Sequence, residues 1–332
     1  MIDLESLPMR QAVGQMSELT DENLAFARQC GLEDIQMNTP RMPGEARWEY
    51  DDLARLADRA ASHGLRLICL ENVPVRFYDQ IMLGRPERER QLENMAATVR
   101  NLGRAGIPIL GYHWMPNGVW RTERACPIRG GAVSNSFDLE RAPTALTHGR
   151  LYDAEEMWAH YDWYLERILP VCEEAGVHMA LHPDDPPVSM LGGIARLFGT
   201  FEGFRRAMDT HSSRFHGLDF CHGCFSEMRG GEGILEAIDH FGSQGRILYV
   251  HLRDVRGTAE RFTECFIDEG QSDIFAVVER LRKVGFRGFI LDDHVPRFVN
   301  DSPYGHRGRA YAIGYIKAVL AAVERFAEAA RL

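Results

Sequence analysis

The stretch "HMALHPDDPP", residues 178–187, runs from an apolar segment into a proline-rich turn holding one histidine and two aspartates. Its first part reads as a short strand buried on both faces, and "HMALHP" (178–183) is one of eight such runs. The others are "RQAVGQMS" (10–17), "EDIQMNT" (33–39), "LRLICLEN" (65–72), "IPILGYHW" (107–114), "FHGLDFC" (215–221), "ILYVHLRD" (247–254) and "GFILDDH" (288–294). Between them lie helix-like segments such as "ERERQLENMAATVRNLGRAG" and "AEEMWAHYDWYLERILPVCEEAG", each closing on a glycine able to take the left-handed conformation that ends helices.

Strands alternating with helices make a parallel sheet, because the chain must cross back between strands. Eight repeats without a structureless linker predict an α/β fold of the closed (β/α)8 TIM-barrel class, one domain over residues 1–332. The alternative is an open doubly wound sheet, but the glycine fingerprint of dinucleotide binding is missing from "GQMSELTDENL" after the first run. One connection is anomalous: a loop insertion at about 115–152, rich in Gly, Ser and Thr. Loops of this length are usually functional, and this one suits a lid or an arm packed on a second subunit, so a homo-oligomer is expected.

With 45% apolar and 26% charged residues the chain has material for a large core. A net charge of -10 and the lack of a basic run argue against a nucleic-acid partner and favour a small molecule. No apolar run long enough to span a membrane occurs, and "MIDLESLPMRQAVGQ" lacks the basic start of a secretory signal, which predicts a cytoplasmic protein. The cysteines, seven in number, are scattered and odd, so they read as thiols rather than a disulfide framework.

The polar residues closing the runs are Glu71, His113, His182, Cys221, His251, Asp293 and His294. In a barrel the C-terminal strand ends converge on one mouth, where active sites of this architecture lie. His182, Cys221, His251 and Asp293 then offer two imidazoles, a thiolate and a carboxylate, a set suited to a divalent transition ion. Alone, His182 would more often be a satisfied turn histidine; in "CHGC" (221–224) Cys221 is read as a ligand and Cys224 as a loop residue, the alternative being two inert buried thiols. "HLRD" (251–254) puts His251 and Arg253 on one strand face, where Arg253 either binds an anion or pairs with Asp254 or Glu227. Asp293 and His294 are adjacent and serve one site only if the chain bends there.

At these residues the chain resembles the mannonate dehydratase family, sugar-acid hydro-lyases with a xylose-isomerase-like barrel. "GYHWMPNGVWRT", "LHPDDPP", "GLDFCHG", "VHLRDV" and "DDH" carry the resemblance, which runs through most of the chain. It implies His182, Cys221, His251 and Asp293 as ligands of Mn2+ or Fe2+, where spacing alone leaves Zn2+ open, and His294 as an acid/base group. It further implies dehydration of D-mannonate to 2-keto-3-deoxy-D-gluconate, or of a related aldonate. Two segments depart from the family pattern: Leu291 and Asp292 stand where Arg-Pro precedes the Asp-His pair, and Arg307 stands where a tyrosine is expected after Tyr304.

Such a dehydration removes a proton beside a carboxylate and expels hydroxide from the next carbon, which calls for a Lewis acid and two proton carriers. His294, with an ordinary pKa of about 6.5, suits one of them. Tyr304, His113 and Glu71 are candidates for the other. Arg121 and Arg297 are candidates for orienting the substrate carboxylate by paired hydrogen bonds, or else surface salt-bridge partners. A metal-dependent sugar isomerase or epimerase would use the same ion and barrel, and a non-catalytic sugar-acid binding protein would keep the pocket alone.

Overall fold

The computed structural model describes residues 2 and 4–329. Its centre is a closed barrel of β1 (Arg10–Met16), β2 (Asp34–Asn38), β3 (Arg66–Glu71), β4 (Ile109–Tyr112), β5 (His178–Leu181), β6 (His216–Cys221), β7 (Ile247–His251) and β8 (Phe289–Leu291). All neighbours are parallel, and β8 closes on β1 through Arg10 opposite Phe289. Each of the eight sequence runs contains one barrel strand. The runs are short and nearly continuous in apolar character because a barrel strand is covered by helices outside and by side chains inside.

Strand alternation explains why the barrel changes character along its axis. The inward faces hold Ala12, Cys69, Ile109, Ala180, Tyr249, Phe289 and Leu291, which form an apolar plug within the barrel. Two residues further on, the same faces present Glu71, His182, His251 and, past the end of β8, Asp293. Gly111 follows Ile109 on this face, where a Cβ would collide with the Tyr249 hydroxyl and with Glu71 Cγ. A larger residue there would push the apolar plug into the polar layer.

The helices Arg88–Arg104 and Ala154–Ala175 occupy the two segments named from sequence, and Gly176 ends the second in the left-handed conformation with φ 68°. The long insertion is ordered. It contributes strands Glu123–Pro127 and Val133–Asp138 to a four-stranded antiparallel sheet completed by Val255–Thr258 and Arg261–Glu264, the hairpin that follows β7. Phe137 and Phe262 pack between these two insertions with Val188, Leu191 and Val255. Among the described residues no helix is long and apolar enough to cross a membrane, and all seven cysteines are free thiols.

Candidate active site

The barrel's C-terminal ends gather most of the residues singled out from sequence. His182 lies one residue beyond β5, while Cys221 and His251 end β6 and β7 opposite one another in register. One donor atom from each of these three lies within 4.8 Å of the others. Asp293 joins them from beyond β8, 3.8 Å from Cys221 Sγ and 3.8 Å from His251 Nδ1. Because β8 stops at Leu291, the chain has left strand geometry by Asp293, and His294 Nε2 comes to 3.7 Å from Asp293 Oδ1. The bend that lets both residues face one site is therefore present.

The electrostatics fit a divalent cation. Burial opposes ionisation of the Cys221 thiol, but a hydrogen bond from Cys224, together with Arg253, His182 and His251, holds its pKa well below the ordinary value. Burial likewise lowers the His182 pKa, yet Asp219 and Cys221 outweigh it and lift it to about 10. His251 is raised in the same way by Asp219, Glu71 and Asp293 against the pull of burial. The pocket thus holds buried negative charge that draws protons onto its histidines. His251 Nδ1 and both Asp219 oxygens have no hydrogen-bond partner, and orphaned donors of this kind in a buried site suit a bound ion.

Around this group runs a closed circuit of ionic contacts. Arg253 donates to Asp293 at 2.8 Å, to Glu227 at 2.9 Å and to Asp185 at 3.2 Å. Asp185 accepts a two-pronged bond from Arg121 at 2.6 and 2.8 Å, and Arg121 reaches Glu264 Oε1 at 2.7 Å. Glu264 then holds His294 Nδ1 at 2.8 Å. Arg121 and Arg253 are each 2% exposed, so Arg121 is a buried partner and not the surface salt-bridge residue that was one of its two sequence readings. Arg253 pairs with Glu227, one of the two carboxylates named for it, and it lies past the end of β7, so its approach to Asp293 comes from the loop and not from strand alternation.

The proline-rich turn now has an explanation. His182 faces the cation-suited group, with Nδ1 2.7 Å from the Pro183 carbonyl. Asp184 fixes the following segment by accepting from the Phe198 N–H at 2.6 Å and from Arg196, while Asp185 links Arg121 to Arg253.

Other expectations fall differently. Cys224 is not in a loop but in the first turn of helix His222–Arg229, with Sγ 3.4 Å from Arg253. Arg297 is exposed and donates to the Arg124 carbonyl. Tyr304 donates its hydroxyl to the Gly14 carbonyl at 2.6 Å. Glu71 accepts amide hydrogen bonds from Gln15, Gln36, Asn38 and Asn72 and stands 3.0 Å from His251 Nε2. Burial, with His182 and Arg196 nearby, pushes the His113 pKa down to about 3, and its Nδ1 accepts the Met115 N–H at 3.1 Å. The neutral ring then carries its proton on Nε2.

Asp219 and Glu264 were not singled out from sequence. For Asp219 a signal existed, an ionisable residue inside a core strand two positions before Cys221. For Glu264 there was none, since nothing in "RFTECF" indicates that a hairpin brings it to His294.

The model of the family D-mannonate dehydratase (UxuA) matches residues 9–148 and 136–330. The mannonate dehydratase of Thermotoga maritima is 28% identical, the match covering 84% of this chain and 87% of that protein. Mannonate dehydratase 2 of Halalkalibacterium halodurans is also 28% identical, over 83% of this chain and 88% of its own. The crystal structure of mannonate dehydratase from Streptococcus suis serotype 2 superposes with a TM-score of 0.88 at 26% identity, covering 96% of both chains. An L-ribulose 3-epimerase structure, at 17% identity and a TM-score of 0.64 over 98% of both chains, shares the fold. A family match spanning nearly the whole barrel, around a mouth where histidine, cysteine and carboxylate side chains converge, assigns the chain to the D-mannonate dehydratase family, as a hydro-lyase of the sugar-acid dehydratase class.

Proposed function

We propose that the protein dehydrates D-mannonate, or a closely related aldonate, to the 2-keto-3-deoxy acid, which for mannonate is 2-keto-3-deoxy-D-gluconate. In this reading His182, Cys221, His251 and Asp293 hold one divalent ion, Mn2+ or Fe2+. When bound, the ion supplies Lewis-acid stabilisation of the negative charge that develops beside the substrate carboxylate.

The observation that supports this most directly is the placement of His294 beside that ligand set. Its side chain is 36% exposed, whereas Asp293 and Glu264 are 5% and 2% exposed, so His294 is the part of this circuit open to a substrate. Glu264 holds Nδ1 and leaves Nε2 to work on the side facing Asp293. Burial lowers the His294 pKa, but Asp293 and Glu264 more than restore it, and this upward shift favours the role of a donor delivering a proton to the departing hydroxide. His113, neutral with its Nε2–H free of the backbone bond at Nδ1, suits donation of a hydrogen bond to a substrate oxygen. Tyr304 keeps its phenol protonated, burial pushing its pKa up, and serves as the second proton carrier only by giving up the Gly14 carbonyl.

Incubating the Mn2+- or Fe2+-loaded protein with a panel of hexonates and pentonates tests the proposal. Formation of a 2-keto-3-deoxy acid with loss of one water is expected; a product of unchanged mass would place the protein among the isomerases or epimerases instead.

A further inference from the structure

His251 ends β7 with its side chain fully buried, and its two ring nitrogens meet different surroundings. Nε2 lies 3.0 Å from Glu71 Oε2, with Asp219 Oδ2 further off at 3.6 Å. Nδ1 faces Asp293 Oδ1 at 3.8 Å and has no hydrogen-bond partner among the described residues. The other oxygen of Asp293 lies 3.8 Å from Cys221 Sγ. Asp293, with Cys221 beside it, thus stands at Nδ1, while Glu71 stands at Nε2.

The tautomer follows from these contacts. A neutral imidazole carries a proton on one nitrogen and an accepting lone pair on the other. A proton on Nδ1 would find no acceptor within hydrogen-bond distance, and the Nε2 lone pair would face a carboxylate oxygen. A proton on Nε2 is instead donated to Glu71, which leaves the Nδ1 lone pair for a cation. Gln15 Nε2, 3.4 Å from His251 Nε2, offers no other acceptor, because an amide nitrogen only donates. The Gln15 carbonyl end is taken by Asn38 at 2.7 Å. Glu71 is itself fixed: Asn38 and Asn72 donate to Oε1 at 3.2 and 3.1 Å, and Gln15, at 3.1 Å, and Gln36 donate to Oε2. Amides from β1, from β2 and from just past β3 therefore hold the carboxylate where it meets Nε2.

We infer that Glu71 is a positioning residue for the ion: its Oε2 accepts the His251 Nε2–H and so fixes the ring in the tautomer and orientation that present Nδ1 to the ion beside Cys221 and Asp293. This rests on the ligand reading proposed above and deepens it. A carboxylate on the far nitrogen of a ligating histidine is a common partner of metal sites, where it orients the ring and raises its basicity. His182 is oriented differently, with Nδ1 held by the Pro183 carbonyl, so it turns the other nitrogen, Nε2, to the ion.

Equilibrium dialysis of the metal-stripped protein against Mn2+, with bound metal counted by elemental analysis, tests the inference without relying on activity. Glu71→Gln should weaken Mn2+ binding by about 10- to 100-fold, the usual effect of removing such a partner. Cys221→Ser serves as the reference. If Glu71→Gln binds Mn2+ like the wild type while Cys221→Ser loses it, the inference is overturned and the ligand reading stands; if Cys221→Ser also binds normally, the ligand reading fails and the inference with it. Proton NMR of the Zn2+-loaded, 15N-histidine-labelled protein separates positioning from general support of the fold. Two hydrogen-bonded imidazole protons are expected from the ligand histidines, one on His182 Nδ1 and one on His251 Nε2, and Glu71→Gln should shift the second and speed its exchange with water while sparing the first. Both signals unchanged in the variant would overturn the inference. Should Glu71→Gln not fold, as judged by circular dichroism, wild-type crystals soaked in Mn2+ decide the matter by anomalous scattering. An ion within roughly 2.0–2.3 Å of His251 Nδ1 is expected. An ion bonded to Nε2 in place of the Glu71 contact overturns the inference.

Discussion

Glu264 Oε1 lies 2.8 Å from His294 Nδ1, and this one contact ties the insertion after β7 to the proposed proton carrier beyond β8. Glu264 also accepts from Arg121 and, at 2.7 Å, from Asn135 of the other insertion. Burial would raise its pKa, but His294 and Arg121 hold it well below the ordinary value, so it stays ionised. The small sheet formed by the two insertions is thus the support on which the imidazole is oriented. Glu264→Gln keeps the shape but weakens the hold on the ring, and kcat should fall about 10- to 100-fold with little change in KM or bound metal. A fall in metal content equal to the fall in kcat would show that Glu264 acts through the ligands and not through His294.

Replacing the imidazole itself separates binding from chemistry. His294→Asn leaves Asp293 bonded to Arg253 at 2.8 Å, so the ion and the substrate should still bind while turnover drops by about 10²- to 10⁴-fold. Single-turnover kinetics with the best aldonate substrate make the comparison. Near-normal turnover would remove His294 from the mechanism.

The strands were legible in the sequence because burial on both faces writes them as short apolar runs, and their polar ends were legible because each stands at or within two residues of the C-terminal end of its strand. His182, Cys221, His251 and Asp293 come together for that reason. What stayed hidden depends on contacts distant along the chain. Arg121 could be named from "VWRT", but its partners Asp185 and Glu264 lie 64 and 143 residues away. The pairing of residues 133–138 with 261–264 likewise joins two insertions whose sequences lack the clean alternation of an amphipathic strand. Arg297 reads from sequence either as a carboxylate-orienting residue or as a surface one, and the chain leaves it exposed with its guanidinium donating to the Arg124 carbonyl.

Asp292, one of the residues that depart from the family pattern, is 1% exposed and accepts a hydrogen bond from Arg309, itself 7% exposed. Arg309 also donates to the Asp293 and Tyr304 carbonyls at 3.2 and 3.0 Å, which anchors the segment between β8 and the last helix. Arg309→Met fills the space but leaves the carboxylate buried and unpaired, at a cost of about 3–5 kcal/mol. Arg309→Met combined with Asp292→Leu should recover much of that loss. Denaturant midpoints measure both; a single variant as stable as the wild type would mean the pair contributes nothing.

The same segment supplies a pH-dependent contribution. Asp301 accepts from the Arg307 and Gly308 N–H groups at 2.9 and 3.0 Å, in the first turn of helix His306–Ala329. Burial raises the Asp301 pKa, but these backbone bonds and that from Ser302 together outweigh it and pull it below the ordinary value. A depressed folded-state pKa gives stability that is complete above the unfolded value of about 3.9 and is lost as pH falls through the folded value. Asp301→Ala should therefore cost about 1 kcal/mol at neutral pH, with the gap from wild type closing below about pH 4. An unchanged gap at low pH would assign the effect to packing and not to the charged cap.

The two cysteines of "CHGC" are expected to separate cleanly. Cys221 ends β6 within the group formed with His182 and His251, and its thiol is poised to ionise. Cys224 belongs to a different group, with Asp185 and Glu227, whose atoms also lie within 4.8 Å of one another. That second group already has its cation: Arg253 lies 2.9 Å from Glu227, 3.2 Å from Asp185 and 3.4 Å from Cys224. A divalent ion placed there would face a buried guanidinium at close range, where like charges repel strongly. The Cys224 pKa is accordingly raised, by burial and by its hydrogen bond to Cys221, so it stays a thiol and helps keep its neighbour ionised. Cys221→Ser should lose bound metal and turnover together. Cys224→Ser should retain the ion at close to one per chain, with affinity reduced by less than about tenfold, as befits a group acting on the ligand and not on the metal. Elemental analysis of the two variants after identical dialysis makes the comparison, and equal loss of metal from both would show that the pair ligates together.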